Sequence, residues 1–242
     1  MKLRMRDKSV SIILPLHNEA ENISKLILEI DYILKLAEYH GEIIVIDDAS
    51  TDASLLTAEQ VLGKLDLENK VISNKKRVGL ATSILLGIQT SIFDTFIVMD
   101  TDLTHSPSDL NLLLHQSEFF DVVVASRFCY GGNMENQKLY YSSYLLNLFV
   151  RVISHTQIQD NTGGYFMGKK SVLGNILSEK IFYGFGEYFI RFIKVCQDHA
   201  LKILEVPSTY KNRNAGTKKS KRYKMFYSYF KTAVKARFLK VN

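Results

Sequence analysis

Short, continuously apolar runs alternate with segments whose apolar residues recur every three or four positions in the first half of the chain. The apolar runs predict strands at residues 10–16, 42–50, 70–74, 95–100 and 121–128. The periodic segments predict helices at residues 19–39, 52–65 and 78–92. Because the strands are continuously apolar, we expect helices on both faces of the sheet, as in parallel α/β proteins. We therefore predict a Rossmann-like, mostly parallel central sheet flanked by helices.

Acidic residues follow two of these predicted strands. Asp47 and Asp48 end the second strand, and Asp100 and Asp102 end the fourth, with Thr101 between them. In doubly wound sheets, ligands bind beyond the carboxyl ends of the strands. The two acidic clusters are therefore expected to form one site at the same edge.

Asp100 and Asp102 are separated by one residue, which places their side chains on one side of an extended chain. Like charges held this close raise each other's pKa unless a cation lies between them. Oxygen ligands favour Mg²⁺ or Mn²⁺, which retain water and bind substrate phosphates. The alternative, in which such aspartates cap a helix or turn, is better suited to Asp52 and Asp109.

The positive charge of the chain is concentrated at its C-terminus. The 242 residues carry a net charge of +6, but residues 208–242 hold 11 Lys or Arg and no acidic residue. The rest of the chain therefore has 20 basic and 25 acidic residues. Because the basic excess is local, it predicts a local partner rather than a nucleic-acid groove across the fold.

The sequence argues against several kinds of binding site and against a membrane-spanning helix. The chain contains no GxxxxGK[ST] loop and no GxGxxG after the first strand, so we expect phosphates to be held through a metal and basic side chains. Its two cysteines lie in no metal-binding motif and are expected to pack in a reducing compartment. We also predict no transmembrane helix, because no run of 18 uncharged apolar residues occurs.

Six sequence blocks occur in an order that resembles a known family. They read SIILPLHNEAENI, IIVIDDASTD, VMDTDLTHSP, ASRF, DNTGGYF and EVPSTYKNRNAGTKK. Together they resemble family-2 glycosyltransferases of the GT-A fold, and in particular polyprenyl-phosphate sugar transferases of the dolichol-phosphate mannose synthase type. The resemblance spans roughly residues 8–221. This chain departs from the family pattern at Thr104, Gly163, Phe166 and Lys218, where Gln, Ser, Arg and Ser are usual.

The resemblance implies roles for particular residues. It assigns the metal to Asp100 and Asp102, and catalysis to these two residues together with Asp160, Arg213 and Lys219. It assigns the nucleotide sugar to Pro15, His17, Asn18, Glu19, Asp47, Asp48, Asn74, Lys75, Gly79, Asp100 and Thr101. It assigns the acceptor phosphate to Arg127, Ser143, Arg213 and Lys219.

The activity implied by the resemblance is inverting, metal-dependent transfer of mannose or glucose from a nucleotide sugar, GDP-mannose or UDP-glucose, to a polyprenyl or dolichyl phosphate. Mg²⁺ or Mn²⁺ is the implied cofactor. A lipid monophosphate is ionised at pH 7, because its second pKa is about 6, and needs no general base. The alternative is a glycan hydroxyl acceptor, for which Asp160 or Glu187 would be candidate bases.

A C-terminal helix is predicted over residues 217–242, after a catalytic domain of residues 1–216. Seven apolar residues recur at helical spacing and are expected to form one face, with lysines and arginines mostly elsewhere on the turn: Met225, Phe226, Tyr229, Phe230, Ala233, Val234 and Phe238. A basic amphipathic helix of this kind can lie in the plane of a membrane, so we expect a peripheral protein on the cytoplasmic face. Two alternatives are a helix packed on the domain and a docking site for a small membrane subunit. The segment at residues 140–154 is expected to share the same surface.

Two other functional classes remain open at the level of sequence. A nucleotide-binding or regulatory module without turnover would keep the nucleoside residues. Replacing Asp100 and Asp102 by Asn separates the two classes, because a true enzyme should lose nearly all transfer while it stays folded. A nucleic-acid binder would use the basic C-terminal segment alone. Five or more motif blocks in family order favour the glycosyltransferase.

Overall fold

The computed structural model describes residues 8–212 and 222–239, with side chains from residue 225 onward in the second range. The strands are β1 (Ser9–Leu16), β2 (His40–Asp47), β3 (Glu68–Ser73), β4 (Thr95–Val98), β5 (Val122–Ser126), β6 (Asn133–Met134), β7 (Phe166–Lys169), β8 (Ile203–Pro207) and β9 (Thr209–Tyr210). The helices are α1 (Ala20–Leu36), α2 (Ser54–Leu62), α3 (Leu80–Thr90), α4 (Leu110–Gln116), α5 (Gln137–Ser154), α6 (Lys170–Leu173), α7 (Tyr188–Asp198) and α8 (Arg222–Ala236).

Seven strands form the central sheet, in the order β3-β2-β1-β4-β7-β5-β8. The first four strands are parallel, and β5 is parallel to β8. Strand β7 is antiparallel to both of its neighbours, β4 and β5. The predicted α/β fold with a mostly parallel sheet is confirmed.

The core lies on both faces of the sheet, as the continuously apolar strands predict. On one face, α1 packs through Ile23, Leu26, Ile27 and Ile30 onto alternate residues of β1 and β2. On the other face, α3 and α7 pack onto the residues in between, and Phe189 and Phe192 contact Phe166 of β7. Almost every residue of the inner strands β1, β2, β4 and β5 is therefore buried by one helical layer or the other, which explains why these strands show no polar alternation.

Two interior positions depend on glycine because other atoms approach closely. A β-carbon at Gly87 in α3 would overlap Ile13 Cγ2, and one at Gly168 in β7 would lie 2.8 Å from both Phe96 Cζ and Leu173 Cδ1. These glycines let α3 lie directly on β1 and let β7 fit beneath Leu173. The layers that hold the carboxyl edge of the sheet are therefore tightly packed.

Helix α8 packs on the domain through one side. Tyr229, Ala233 and Ala236 are buried against Val150 of α5 and Ile190 of α7. The predicted boundary between residues 216 and 217 falls outside the described residues and stays a prediction.

Candidate active site

The carboxyl ends of β1, β2, β3 and β4 lie at one edge of the sheet because these strands are parallel. Leu16 of β1 is in register with Asp47 of β2, which is in register with Ser73 of β3. Asp100 follows the end of β4, the neighbour of β1 on its other side. The two acidic clusters predicted from the sequence therefore do meet at the same edge.

Asp47 and Asp48 organise the loops at the β2 end of this edge. The Asp47 carboxylate accepts hydrogen bonds from the Ser50 amide at 3.2 Å and from Ser73 Oγ at 3.1 Å. The Asp48 carboxylate accepts hydrogen bonds from the amides of Val78 at 2.7 Å and Gly79 at 3.1 Å. Asp48 thereby fixes the turn that begins α3. Gly79 in this turn has φ of 96°, a conformation that favours glycine.

The loop after β1 is tied to the loop after β2. Asn18 adopts φ of 52°, and its side-chain oxygen accepts a hydrogen bond from the Thr51 amide at 2.8 Å. The Glu19 amide donates to Ser54 Oγ at 2.7 Å, and His17 Nδ1 lies 2.9 Å from the Asp48 carbonyl. These contacts hold His17, Asn18 and Glu19 beside Asp48, as the nucleoside assignment requires.

Asn74 and Lys75 lie where strand β3 leaves the sheet. The Asn74 amide donates to the Asp47 carbonyl at 2.9 Å. Its side-chain Nδ2 is buried and has no hydrogen-bond partner among the described residues. A buried donor without a partner is costly, so this amide is suited to a ligand oxygen next to Asp47. Lys75 is exposed.

The turn after β4 is held by Thr101. Its Oγ1 donates to the Pro15 carbonyl at 3.1 Å, and the side chain is buried. Asp102 Oδ1 accepts hydrogen bonds from the Thr104 amide at 3.1 Å and from Thr104 Oγ1 at 2.6 Å. Thr104, which stands where the family usually has Gln, therefore supports Asp102 through its hydroxyl.

The carboxylates of Asp100 and Asp102, which together with Thr101 form the DxD turn, both lie near Tyr210. Burial raises the pKa of the Tyr210 phenol, and the negative charges of Asp102 and Asp100 raise it further. Among the described residues, no cluster of three or more His, Cys, Asp or Glu is arranged to hold a metal. The chemistry of Asp100 and Asp102 fits Mg²⁺ or Mn²⁺, since these ions bind carboxylate oxygens and complete their coordination with water and substrate phosphates.

Arg127 and Asp160 form a buried ion pair near this turn. Arg127 Nε and Nη2 each donate to the Asp160 carboxylate at 2.7 Å, and the Arg127 amide donates at 3.0 Å. Burial alone would raise the pKa of the Asp160 carboxyl, but Arg127 holds it below its usual value. Both side chains were predicted to contact substrate, and here each binds the other. Their roles as a catalytic group and a phosphate ligand stay predictions.

A polar network extends from this pair to α5. Arg127 Nη2 also donates to Thr162 Oγ1 at 2.8 Å, and Asn147 Nδ2 donates to the same oxygen at 2.9 Å. Asn147 Nδ2 also donates to the Ser143 carbonyl at 2.9 Å, while its Oδ1 accepts from the Asn161 amide at 2.7 Å. Ser143 therefore lies one helical turn from the network. The other two predicted acceptor residues, Arg213 and Lys219, lie outside the described residues.

His105 is buried beneath the DxD turn. Its ring stacks on Tyr165 at 5.0 Å and meets Tyr210 edge-on at 5.5 Å between centroids. Burial lowers the pKa of His105 to about 4, so the imidazole is neutral at physiological pH. Because the His105 imidazole is neutral, it packs between the two tyrosine rings without burying a positive charge beside Asp102.

Sequence reasoning missed three tyrosines that lie close to Asp100. They are Tyr188 at the start of α7, Tyr210 in β9 and Tyr229 in α8, and the charge of Asp100 contributes to the raised pKa of each. Single aromatic residues in strands and amphipathic helices usually belong to the core, so no local signal marks them. Their common position depends on the tertiary fold.

Helices α5 and α8 together form an exposed apolar surface. Phe149 of α5 stacks on Phe230 of α8 at 5.1 Å between centroids. The exposed members of this α5–α8 surface are Tyr141, Tyr144, Leu145, Leu148, Phe149, Val152, Phe226, Tyr227, Phe230, Val234 and Phe238. The sequence placed Tyr229 and Phe230 on one face, but Tyr229 turns inward and Phe230 outward. In the described ranges no helix has the length and apolarity needed to span a bilayer.

Comparison with known proteins identifies a matching family model and similar proteins. The family model for glycosyl transferase family 2 matches residues 11–177. The chain is 31% identical over 217 residues to a dolichol-phosphate mannosyltransferase of Pyrococcus furiosus, covering 88% of this chain and 59% of that protein. It thus spans less than two thirds of that relative. A polyprenol monophosphomannose synthase of Mycolicibacterium smegmatis is 26% identical, with 92% and 84% covered.

Solved structures share the fold at low sequence identity. A glucosyl-3-phosphoglycerate synthase from Mycobacterium tuberculosis, in complex with Mn²⁺, UDP and phosphoglyceric acid, superimposes with a TM-score of 0.70 and 16% identity. The match covers 97% of this chain and 80% of that one. At this identity the likeness establishes the fold alone.

Proposed function

Because the chain belongs to glycosyl transferase family 2, we propose that it transfers mannose or glucose from a nucleotide sugar to a polyprenyl or dolichyl phosphate. The observation that carries the proposal is the position of Asp100 and Asp102. They follow the end of β4, which lies in the sheet between β2 on the nucleoside side and β7 and β5 on the other. Arg127 follows β5, and its partner Asp160 precedes β7. A donor diphosphate and an acceptor can therefore meet at the DxD turn.

On the nucleoside side, Asp48 and Asn74 would recognise the base and ribose of GDP-mannose or UDP-glucose. Asn74 Nδ2 is a buried donor beside Asp47, and the loop carrying Gly79 is fixed by Asp48. Asp100 and Asp102 would hold Mg²⁺ or Mn²⁺. When bound, such an ion neutralises the charge that develops on the diphosphate leaving group. The two relatives named for mannose transfer favour a mannosyl donor.

On the acceptor side, a phosphate monoester oxygen would attack the anomeric carbon in one inverting displacement. Such an oxygen is already ionised at pH 7, because the second phosphate pKa is about 6. The engagement of Asp160 with Arg127 agrees with a reaction that needs no base at this position. A hydroxyl acceptor would need one. Glu187 is then the remaining predicted candidate, and its carboxylate accepts a hydrogen bond from the Phe185 amide at 3.2 Å.

The metal assignment can be tested apart from turnover. We expect Asp100→Asn and Asp102→Asn each to weaken Mn²⁺ binding measured by electron paramagnetic resonance and to abolish transfer. Asp66→Asn is the control, because Asp66 is exposed and lies on the loop before β3, away from this edge. If both DxD variants bind Mn²⁺ and transfer sugar as the wild type does, Asp100 and Asp102 do not hold a metal that the transfer needs.

We also propose that the α5–α8 surface rests on the cytoplasmic face of a membrane. The surface is apolar and aromatic, and residues 222–239 contain Arg222, Lys224, Lys231, Lys235 and Arg237 with no acidic residue. Each basic residue near an anionic leaflet adds about 1 kcal/mol of attraction. A polyprenyl phosphate embedded in that leaflet would then lie next to the acceptor side of the site.

Vesicle sedimentation tests this surface. Phe230→Glu and Leu145→Glu should reduce binding to anionic vesicles, while Phe119→Glu, at a residue 64% exposed beside α4, should leave it unchanged. Transfer to a short, soluble prenyl phosphate should survive all three substitutions. If the wild-type protein binds neither anionic nor neutral vesicles, the lipid role is wrong, and the surface would instead suit the small membrane subunit.

A further inference from the structure

Two phenols that the proposed chemistry has not used lie on the acceptor side of Asp100. Tyr188 begins α7, and Tyr229 is in the middle of α8. Apart from burial, the neighbours that perturb the pKa of Tyr229 are Arg127, Glu187, Asp100 and Tyr210. None of these is a nucleoside residue at the end of β2. Tyr229 therefore lies near Asp100 of the DxD turn and near Arg127, the partner of Asp160.

The fold makes room for the Tyr229 hydroxyl at one glycine. A β-carbon at Gly186 would overlap the hydroxyl oxygen and would lie 3.3 Å from Cζ of the same ring. Gly186 is not among the glycines with positive φ, so its backbone conformation does not explain the residue. The close approach of the phenol does, since only glycine leaves the space that the hydroxyl occupies.

The Tyr188 hydroxyl is the second group. Tyr188 is 1% exposed, and its hydroxyl has no hydrogen-bond partner among the described residues. A buried hydroxyl left without a partner is unfavourable, so a ligand oxygen that accepts its hydrogen bond is favoured. The Tyr229 hydroxyl lies against Gly186, two residues before Tyr188, so both phenols are at the start of α7.

We propose that Tyr229, with Tyr188 beside it, donates a hydrogen bond to the phosphate of the acceptor, and that α8 is therefore part of the acceptor site. This inference rests on the proposed function, because it takes the acceptor to be a phosphate monoester. A neutral phenol is suited to the task, since it donates to a phosphate oxygen without neutralising the charge that attacks. The same helix carries Phe226 and Phe230 on the α5–α8 surface, so membrane contact and acceptor binding use one element.

The test compares Tyr229→Phe with Tyr32→Phe. Tyr32 is on α1, outside the site and the α5–α8 surface, and is 66% exposed, so its hydroxyl serves as the control. With a short, soluble prenyl phosphate, we expect Tyr229→Phe to lower kcat/KM for the acceptor about tenfold, as expected for loss of a hydrogen bond to a charged group. The KM for the nucleotide sugar should not change, and Tyr32→Phe should behave as wild type.

A purely structural role for Tyr229 predicts a different result. In that case Tyr229→Phe would lower the melting temperature of the protein and would change the KM for the donor and the KM for the acceptor together. Gly186→Ala should displace the phenol and reproduce the acceptor defect. Adding Tyr229→Phe to that variant should restore part of the lost melting temperature, because the overlapping oxygen is removed.

Isothermal titration of the prenyl phosphate into protein saturated with Mn²⁺ and the nucleoside diphosphate separates this inference from the proposed function. Weaker binding to Tyr229→Phe than to wild type supports the inference. Equal binding, or a change in donor KM alone, overturns the inference while the proposed function stands. If wild type neither binds nor glycosylates any prenyl phosphate, both are wrong.

Discussion

Replacing Asp160 by Asn should destabilise the protein strongly, because the substitution leaves a buried guanidinium without its counter-ion. Asp160 is fully buried and Arg127 is 9% exposed. Their side chains share two hydrogen bonds of 2.7 Å. Asparagine keeps the size of the side chain but removes its charge, and it can direct an amide N–H toward the guanidinium. Removing one partner of a buried ion pair typically costs about 3–5 kcal/mol.

The measurement is urea unfolding followed by circular dichroism, which suits a chain with no tryptophan. We expect Asp160→Asn to lower the free energy of unfolding by about 3–5 kcal/mol. Glu29→Gln is the control, since the Lys25–Glu29 pair is 3.7 Å apart and exposed, and such pairs contribute about 0–1 kcal/mol. The double variant Arg127→Met with Asp160→Leu should cost less than the two single changes added, because no unpaired charge remains.

The stability that the Arg127–Asp160 pair contributes should change with pH in a defined direction. The pKa of the Asp160 carboxyl is lower in the folded protein than its usual value of about 3.9. The stability from this pair is therefore fully present above about pH 4–5 and is lost as the pH falls through the folded pKa. An Asp160→Asn variant within about 1 kcal/mol of wild type at pH 7, or additive single and double changes, would refute a structural ion pair.

Two further predictions concern residues beneath the site. The pKa of His105 is lowered to about 4, so the unfolded chain takes up a proton near pH 6.5 before the folded chain does. The free energy of unfolding should thus fall as the pH is lowered from about 6.5 to about 4. His105→Phe should make the free energy of unfolding depend less on pH in this range. An unchanged dependence in the variant would contradict the burial of a neutral imidazole. Gly87→Ala should lower the free energy of unfolding by about 1–3 kcal/mol despite the better helix propensity of alanine, because its β-carbon would overlap Ile13 Cγ2. Gln89→Ala, on the exposed side of α3, should stay within about 0.5 kcal/mol, and equal effects of the two would count against the close packing of α3 on β1.

The first half of the fold could be read from local sequence because each element there carries its own pattern. The five predicted strands correspond to β1–β5, and the carboxyl edge follows from their parallel order. Strand β7 has no such signal, since its four residues, FMGK, include Gly168 and end at Lys169. It forms because the chain passes between β4 and β5 and pairs with both.

The candidate site shows the same division. The DxD turn and the residues around Asp48 lie next to strands that the sequence marks, so their common edge was predictable. The Arg127–Asp160 pair joins residues 33 positions apart, and Tyr229 reaches Asp100 from the far end of the chain. Such contacts depend on how the second half of the chain packs against the sheet. The apolar periodicity of α5 and α8 predicts that they are helices, but it does not predict which residues of the site they contact.

The periodicity of α8 also shows why one helical face can serve two purposes. The sequence treated Tyr229, Phe230, Ala233 and Val234 as one apolar stripe. In the structure Tyr229 and Ala233 are buried, while Phe230 and Val234 are 47% and 39% exposed. A stripe of this width can pack on the domain through one half and leave the other half for a membrane, so the two interpretations of the helix are compatible.

Sugar transfer itself is tested most directly by product analysis. Purified protein is incubated with Mn²⁺, a short prenyl phosphate and a panel of nucleotide sugars that includes GDP-mannose and UDP-glucose, and the products are identified by mass. We expect one donor to give a prenyl phosphate enlarged by a single hexose, and we expect EDTA or Asp102→Asn to abolish that product. No hexosyl prenyl phosphate with any donor, or a product that persists in EDTA, would contradict the proposed metal-dependent transfer to a lipid phosphate.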